Sequence, residues 1–266
     1  SSFTRTIASL PSRLASSRTL PPDGVYFAAP PSWTEVDERR VVSEVAALLP
    51  PLVQLEFEGR YRAMLSHEPK NYALLTYDDT LILRGVAFRS SRAEPFGETF
   101  LRKAVRRVLG GDVPGVRAAY LDTVSALRHR ELPTWDVSSR VRMTKTRDQY
   151  LAARETRREL SYEAMLASGR ASWSLGDRVR VYRTRSGSGG VVEEGDDGRT
   201  HRVAADPRDY DVEHYIRLLR DTYASRLARA FTPEDFTAVF ADPTQMELFA
   251  PALSNVQPIL TRLQVP

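Results

Sequence analysis

Lys70 and Tyr72 stand two residues apart in the run Lys70-Asn71-Tyr72-Ala73-Leu74-Leu75, whose composition predicts a short strand. The lysine offers a point charge with three donors, which suits phosphate oxygens or base edges, and the tyrosine adds a flat ring and a hydroxyl. Without further context, the favoured interpretation is an edge-strand lysine beside a core tyrosine.

A second set of polar residues follows the same spacing near the middle of the chain. Arg140, Arg142 and Thr144 alternate along a predicted strand, so they share one face, and Lys145 follows directly. A cluster of this type suits sequence-independent binding of phosphates, because each phosphate that is neutralised releases counterions.

Composition excludes several kinds of chemistry. The 266-residue chain contains no cysteine, which excludes disulfides, thiolate metal sites and cysteine nucleophiles. Its four histidines, at positions 67, 129, 201 and 214, share no ligand spacing, so no structural metal is expected. No apolar run is long enough to cross a membrane. A net charge of +4 and a pI of about 9.4 permit binding to nucleic acid but do not require it.

The first part of the chain predicts an α+β layer. Residues 1–22 are rich in serine and arginine and are interpreted as an atypical or disordered segment, with a transit peptide as the alternative. Ser32 and Glu35 form a candidate capping box for a helix that reaches Leu49. The predicted apolar face of that helix consists of Val36, Val41, Val42, Val45 and Leu48. Strands are predicted near residues 24–28, 52–58, 60–66, 70–77 and 81–88.

Helices dominate after Pro95. They are predicted over about 96–109, 113–130, 146–155, 161–168, 211–230 and 233–240. Short strands are expected near 137–143 and at 179–182, and the glycine- and serine-rich run at 186–190 is expected to be a flexible loop together with the acidic turn at 193–198. The segment 242–266 is punctuated by proline and is expected to be an irregular tail.

Five short motifs in this order resemble the C-terminal part of family B DNA polymerases of archaeal and bacterial type. The motifs are Asp23-Gly24-Val25-Tyr26-Phe27, Lys70-Asn71-Tyr72, Met143-Thr144-Lys145 with Tyr150, Gly176-Asp177-Arg178-Val179, and Tyr210-Asp211-Val212-Glu213-His214-Tyr215. The resemblance covers residues 23–240. It implies an α+β fold with a partial palm over 23–94, an antiparallel sheet with a covering helix, followed by a mostly helical thumb over 95–241.

The resemblance also assigns expected roles. Residues at the positions of Lys70 and Tyr72 face the primer end and the minor groove in that family, and Thr144 and Lys145 lie where the thumb meets the duplex backbone. Arg89 and Arg92 occupy a place where the family often carries Arg-Arg-Asp-Trp. Because the acidic and aromatic members are absent here, phosphate contact and a solvated loop remain equal alternatives for these two arginines.

Asp23 matches the last aspartate of the metal-binding turn that holds Mg²⁺ in the intact family. Pro21 and Pro22 replace the other members of that turn, and the exonuclease, the fingers and the second carboxylate strand have no counterpart in this sequence. Two-metal transfer needs at least two fixed carboxylates. We therefore expect no nucleotide incorporation and no bound Mg²⁺ from this chain alone, unless other polymerase segments complete the site.

The segment Gln245-Met246-Glu247-Leu248-Phe249 resembles peptides that bind bacterial sliding clamps. In such a peptide Gln245 would bond at a pocket rim while Leu248 and Phe249 fill an apolar cleft. The alternative is that the apolar side chains attach the tail to the thumb.

These observations favour one function and leave two alternatives. The favoured function is sequence-independent binding of primer–template duplex, as the palm and thumb of a family B polymerase in the nucleoid-associated cytoplasm, without a membrane. The first alternative is a non-catalytic DNA- or clamp-binding accessory or degenerate polymerase. The second is a structural α+β protein whose basic pI is incidental.

Overall fold

The computed structural model describes residues 4–9, 24–30, 32–50, 55–68, 70–90, 92–194, 206–242 and 253–259. Within these ranges the fold is a mixture of eight α-helices and three small antiparallel sheets. None of the helices in the described ranges combines the length and apolarity needed to cross a bilayer. Asp23 and residues 245–249 lie outside the described residues.

The first sheet contains a strand that the sequence did not predict. Strand β1 (Thr4–Ser9) lies between β2 (Gly24–Ala29) and β3 (Glu56–Tyr61), and it is antiparallel to both. It falls within the segment that was interpreted as atypical or disordered. Its Thr-Arg-Thr-Ile-Ala-Ser composition is compatible with a strand, but six residues inside a serine- and arginine-rich segment carry little signal.

Helix α1 (Glu35–Ala47) corrects two details of the prediction. Its capping box uses Thr34 and Asp37, two residues later than expected, and the backbone N–H of Thr34 donates to Asp37 Oδ2 at 2.8 Å. The predicted apolar face is right only in part: Val42 is buried and Val41 half-buried, whereas Leu48 is 84% exposed and Val36 and Val45 are exposed too.

A charged contact replaces much of that apolar face. Glu38 is fully buried, and its Oε2 lies 2.9 Å from Nε of Arg60 on β3. Beside this ion pair, Val42 is the only other residue of α1 that is buried. Burying a carboxylate requires such a partner, and the pair takes the position that apolar periodicity assigned to hydrophobic side chains.

The second sheet contains β4 (Ala63–Glu68), β5 (Asn71–Leu75) and β6 (Leu81–Arg84) in that order. The strands predicted between residues 52 and 88 therefore divide between two sheets instead of forming one. The chain bends at Arg62, whose backbone N–H donates to the carbonyl of Leu75 at 2.7 Å.

Helices α2 (Pro95–Leu109) and α3 (Val113–Arg128) confirm their predicted positions. Asp112 caps α3 by accepting a hydrogen bond from the N–H of Gly115 at 2.9 Å. Buried residues of β5, α2 and α3, among them Leu75, Phe100 and Val124, belong to one hydrophobic cluster. The core thus runs across the boundary predicted between residues 94 and 95.

The third sheet has the order β7 (Ser139–Arg142), β8 (Arg178–Arg183) and β9 (Gly189–Val192). It packs on α6 (Leu160–Ala167), and α4 (Thr134–Val137) and α5 (Arg147–Ala153) lie beside it in sequence. Strand β9 begins where a flexible loop was predicted. A Cβ on Gly189 would lie 2.6 Å from the carbonyl oxygen of Leu160, so this glycine permits close packing against α6.

The last helical segment closes the main core. Helix α7 (Val212–Leu218) continues as a π-helical turn (Leu219–Tyr223) and a 3₁₀ helix (Ala224–Ala230), and α8 (Pro233–Val239) follows. Part of the predicted irregular tail is attached to this unit: Leu253–Asn255 is a 3₁₀ turn, Val256 is buried, and the N–H of Ile259 donates to the carbonyl of Ala230 at 2.6 Å.

Candidate nucleic-acid interface

Four arginines lie on one face of the third sheet. In the antiparallel register Arg140 is opposite Arg180, and Arg142 is opposite Arg178. Directly opposite residues share a face, and so do alternate residues of one strand. The intervening valines pack into a small core on the other side of the sheet. We call these four residues, Arg140, Arg142, Arg178 and Arg180, the arginine face.

One carboxylate pairs with two residues of the arginine face. Glu194, just after β9, lies 2.9 Å from Nη2 of Arg140 and 3.2 Å from Nε of Arg180. The Arg180 guanidinium also lies 4.1 Å above the ring centroid of Trp135. Burial lowers the pKa of Arg180, and Glu194 opposes that effect by favouring the charged form. Within the described part of the chain, Arg142 and Arg178 make no ion pair and are exposed.

An open cavity of about 750 Å³ joins this face to the start of α2. Its walls include Arg92 and Glu94 on one side and β7 on the other. Four of the residues singled out in the sequence line it together: Arg92, Arg140, Arg142 and Thr144. Leu175 and Gly176 complete the rim. The cavity is open and is bordered by three arginines and one glutamate, and this excess of positive charge suits a phosphate backbone.

A short loop connects this cavity to the second sheet. The N–H of Arg92 donates to Oγ of Ser90 at 3.3 Å, and the N–H of Ser90 donates to Oε1 of Glu98 at 3.1 Å. The N–H of Arg89 donates to the carbonyl of Gly85 at 3.0 Å, and its side chain is exposed. Arg89 therefore lies on the loop that leads to the cavity but is not part of its lining.

Lys70 lies in the turn between β4 and β5, where it is exposed and has a positive φ of 65°. The turn packs closely against Gly85, because a Cβ there would lie 2.3 Å from the carbonyl oxygen of Lys70. The neighbouring Asn71 fixes the same loop by accepting a hydrogen bond from the N–H of Ala87 at 2.9 Å. A non-glycine residue in left-handed conformation carries strain, and such strain is frequent at functional sites.

Tyr72 is half-buried on β5 and connects the first two sheets. Its ring meets the ring of Tyr26 edge-on, with 5.2 Å between the centroids. Burial raises the pKa of Tyr26 strongly, and a hydrogen bond to Tyr72 adds to the effect. Tyr72 is thus neither fully buried in the core nor free on the surface, and part of its ring is accessible to a ligand.

Lys145 lies apart from this surface. Its Nζ is 2.5 Å from Oε1 of Glu159 and 5.8 Å from the ring centroid of Tyr162. The Tyr162 hydroxyl accepts hydrogen bonds from the N–H groups of Thr144 and Lys145, both at 2.9 Å. Thr144 reaches the cavity, whereas Lys145 is absent from its lining.

Other predicted sites are not placed by the structure. Asp23 and the clamp-peptide residues Gln245, Leu248 and Phe249 fall outside the described residues. The chain on both sides of that peptide is anchored, since Arg128 donates both to Oδ1 and to Oδ2 of Asp242, and Val256 is buried. No group of three or more histidine, aspartate or glutamate side chains in the described ranges could hold a metal ion.

Sequence reasoning missed Arg178, Arg180 and Glu194. The alternation Arg-Val-Arg-Val at 178–181 was a visible strand signal with its arginines on one side. Nothing local, however, indicated that β8 pairs with β7, or that Glu194 meets an arginine 54 positions away.

Comparisons with known proteins give a likeness at the level of the fold. No family model and no curated protein matches the sequence. Among solved structures, the chain is similar to the family B DNA polymerase of the hyperthermophilic archaeon Pyrobaculum calidifontis, with a TM-score of 0.50 and 17% sequence identity. The match covers 77% of this chain and 25% of the polymerase chain. The chain therefore has a fold resembling one part of that polymerase.

Proposed function

We propose that this chain binds primer–template duplex DNA without reading its sequence, as the palm and thumb part of a family B DNA-directed DNA polymerase. The observation that carries the proposal is the cavity in which Arg92, Arg140, Arg142 and Thr144 converge. The likeness in fold to an archaeal family B polymerase supports the same function. Binding would depend on phosphates, because guanidinium groups and a hydroxyl contact the backbone without distinguishing bases.

The other proposed contacts extend this surface toward the second sheet. Lys70 and Tyr72 would contact the primer side, and Arg89 lies between them and the cavity along the loop that follows Gly85. Lys145 would contribute less than Lys70, since Glu159 already neutralises its charge. A sliding clamp remains a proposed partner through Gln245, Leu248 and Phe249.

Catalysis is not proposed for the isolated chain. The sequence offers Asp23 as a single match to the metal-binding turn, and two-metal chemistry needs a second fixed carboxylate. The purified chain should therefore incorporate no nucleotide into a primed template in the presence of Mg²⁺. Measurable incorporation would show that this part of the proposal is wrong.

Fluorescence anisotropy with a labelled duplex, measured between low and physiological salt, tests the proposal. Roughly four or five phosphate contacts predict a slope of about −4 for log K against log salt, with equal affinity for unrelated sequences. The variant Arg142→Gln should lower the magnitude of that slope by about 0.9.

The control removes an equal charge elsewhere. Arg40 lies on α1 and pairs with Glu44 at 3.0 Å, so Arg40→Gln should leave the slope unchanged. Absence of duplex binding at low salt would overturn the proposal, and equal losses in the two variants would refute the assignment to the cavity.

A further inference from the structure

The two cross-strand pairs of the arginine face have different surroundings. Arg140 and Arg180 share Glu194, and the Arg180 side chain is 11% exposed while that of Glu194 is 15% exposed. Arg142 and Arg178 are exposed and, among the described residues, have no acidic partner. One half of the face therefore carries a net charge of about +1 and the other half about +2 at neutral pH, because guanidinium groups stay protonated.

A carboxylate and a phosphodiester compete for the same donors. Both present two oxygens to the planar fork of a guanidinium, and such charge-assisted bonds are among the strongest hydrogen bonds in proteins. A phosphate that approached Arg140 or Arg180 would meet a guanidinium whose charge and part of whose donors are already engaged by Glu194. A phosphate that approached Arg142 or Arg178 would displace only water and counterions.

Arg180 is also held in place by groups other than Glu194. Nη1 of Arg180 donates to the carbonyl oxygen of Ser138 at 3.1 Å, and the guanidinium stacks over Trp135. These contacts join β8 to the segment that leads into β7. The pairing of the two strands in turn places Arg142 and Arg178 directly opposite each other at the open end of the face.

We propose that Arg142 and Arg178 bind the phosphodiester oxygens of the duplex, whereas Arg140, Arg180 and Glu194 form a positioning unit that makes no lasting contact with DNA. This inference rests on the proposed function and refines it. It adds Arg178, which lies opposite Arg142 but is not part of the cavity lining, to the binding residues. It takes Arg140 out of direct contact, although Arg140 lines the cavity.

The salt dependence of duplex binding separates the two pairs. Arg142→Gln and Arg178→Gln should each lower the magnitude of the slope by about 0.9, and Arg178→Lys, which keeps the charge, should restore most of it. Arg140→Gln should lower the magnitude of the slope by much less than Arg178→Gln does, because Glu194 already pairs with Arg140. Glu194→Gln should increase the magnitude of the slope, because it releases a guanidinium that can then neutralise a phosphate.

Thermal unfolding of each variant shows whether it is folded, so that a loss of binding is not mistaken for a loss of structure. If Arg140→Gln or Glu194→Gln fails to fold, the exposed pair still decides through Arg178→Gln and Arg178→Lys. An unchanged slope in Arg178→Gln overturns the inference, and so does a loss in folded Arg140→Gln equal to that in Arg178→Gln. Failure of the unmodified chain to bind duplex at any salt would instead refute the proposed function, and this inference with it.

Discussion

The turns that carry Lys70 and Lys145 place the same residue type in opposite environments. Lys70 is exposed in a left-handed turn, and no ion pair to it is found within the described residues. Lys145 pairs with Glu159 at 2.5 Å, its head lies over Tyr162, and its carbonyl accepts a hydrogen bond from Nε1 of Trp173 at 2.9 Å. Both lysines were predicted to contact DNA, yet of the two only Lys70 presents a charge without an acidic partner among the described residues.

The difference shows what a motif can and cannot indicate. A short pattern identifies which residue type occurs at which place, but the availability of its charge depends on partners from distant segments. Glu159 and Glu194 decide that availability for Lys145 and for half of the arginine face. Four experiments test this comparison, beginning with the one that should perturb the protein most.

Gly85→Ala should disrupt the Lys70 turn. The added Cβ would lie 2.3 Å from the carbonyl oxygen of Lys70 at a φ of +84°. Overpacking and left-handed strain together predict a loss of about 3 kcal/mol in the free energy of unfolding, measured with urea. Gly111 is a matched control, since it has a φ of +76° with no atom within 4 Å of the added Cβ, and Gly111→Ala should lose only about 1 kcal/mol. Equal losses would contradict a close contact at Gly85.

Tyr162→Phe should loosen the Lys145 turn. The hydroxyl that is removed accepts two backbone hydrogen bonds, from Thr144 and Lys145, while the stacking on Tyr150 at 4.6 Å is kept. Leaving these N–H groups without an acceptor should lower the free energy of unfolding by about 2 kcal/mol. Amide exchange at Thr144 and Lys145 should accelerate in the variant. Unchanged exchange there would mean that Tyr162 does not hold this turn.

The sequence predicted best where local signals were strong. Helices α2 and α3 have clear amphipathic periods bounded by Gly110 and Pro133, and their bounds were nearly right. The predicted apolar face of α1 was right at Val42 but wrong at Val36, Val45 and Leu48, because a buried ion pair, Glu38 with Arg60, replaces much of the hydrophobic contact. The glycine- and serine-rich run at 186–190 predicts a flexible loop, whereas Gly189 begins β9 and permits close packing against α6.

The candidate site was predictable only in part, for a related reason. Arg140, Arg142 and Thr144 could be placed on one face from strand period alone. Their partners Arg178 and Arg180 come from a strand that the fold brings alongside, and Arg92 comes from a loop before α2. Pairing of strands across long separations depends on the whole core, which no local window contains.

Acid should weaken the small core beside the Lys145 turn. Hydrogen bonds from Arg154 and then from Tyr150 lower the pKa of Glu163 from an ordinary value of 4.5 to about 2. Because the folded pKa is the lower one, the stabilisation is present above pH 4.5 and is lost as the pH falls from 4.5 through 2. Partial exposure and screening limit the effect to about 1 kcal/mol. Glu163→Gln should remove this part of the pH dependence of unfolding, and an unaltered profile would contradict the assignment.

Lys70→Asn should give the smallest change in stability and the sharpest test of the comparison. Asparagine tolerates a φ of 65° better than lysine does, so the free energy of unfolding should rise by about 0.5 kcal/mol. At the same time, loss of the charge should lower the magnitude of the salt slope of duplex binding by about 0.9. Lys145→Asn should do the reverse, losing stability with little effect on the slope, because its charge is paired with Glu159.

A gain in stability of Lys70→Asn together with weaker binding would mean that Lys70 keeps its backbone strain for a contact with DNA. A gain with unchanged binding would place Lys70 outside the interface.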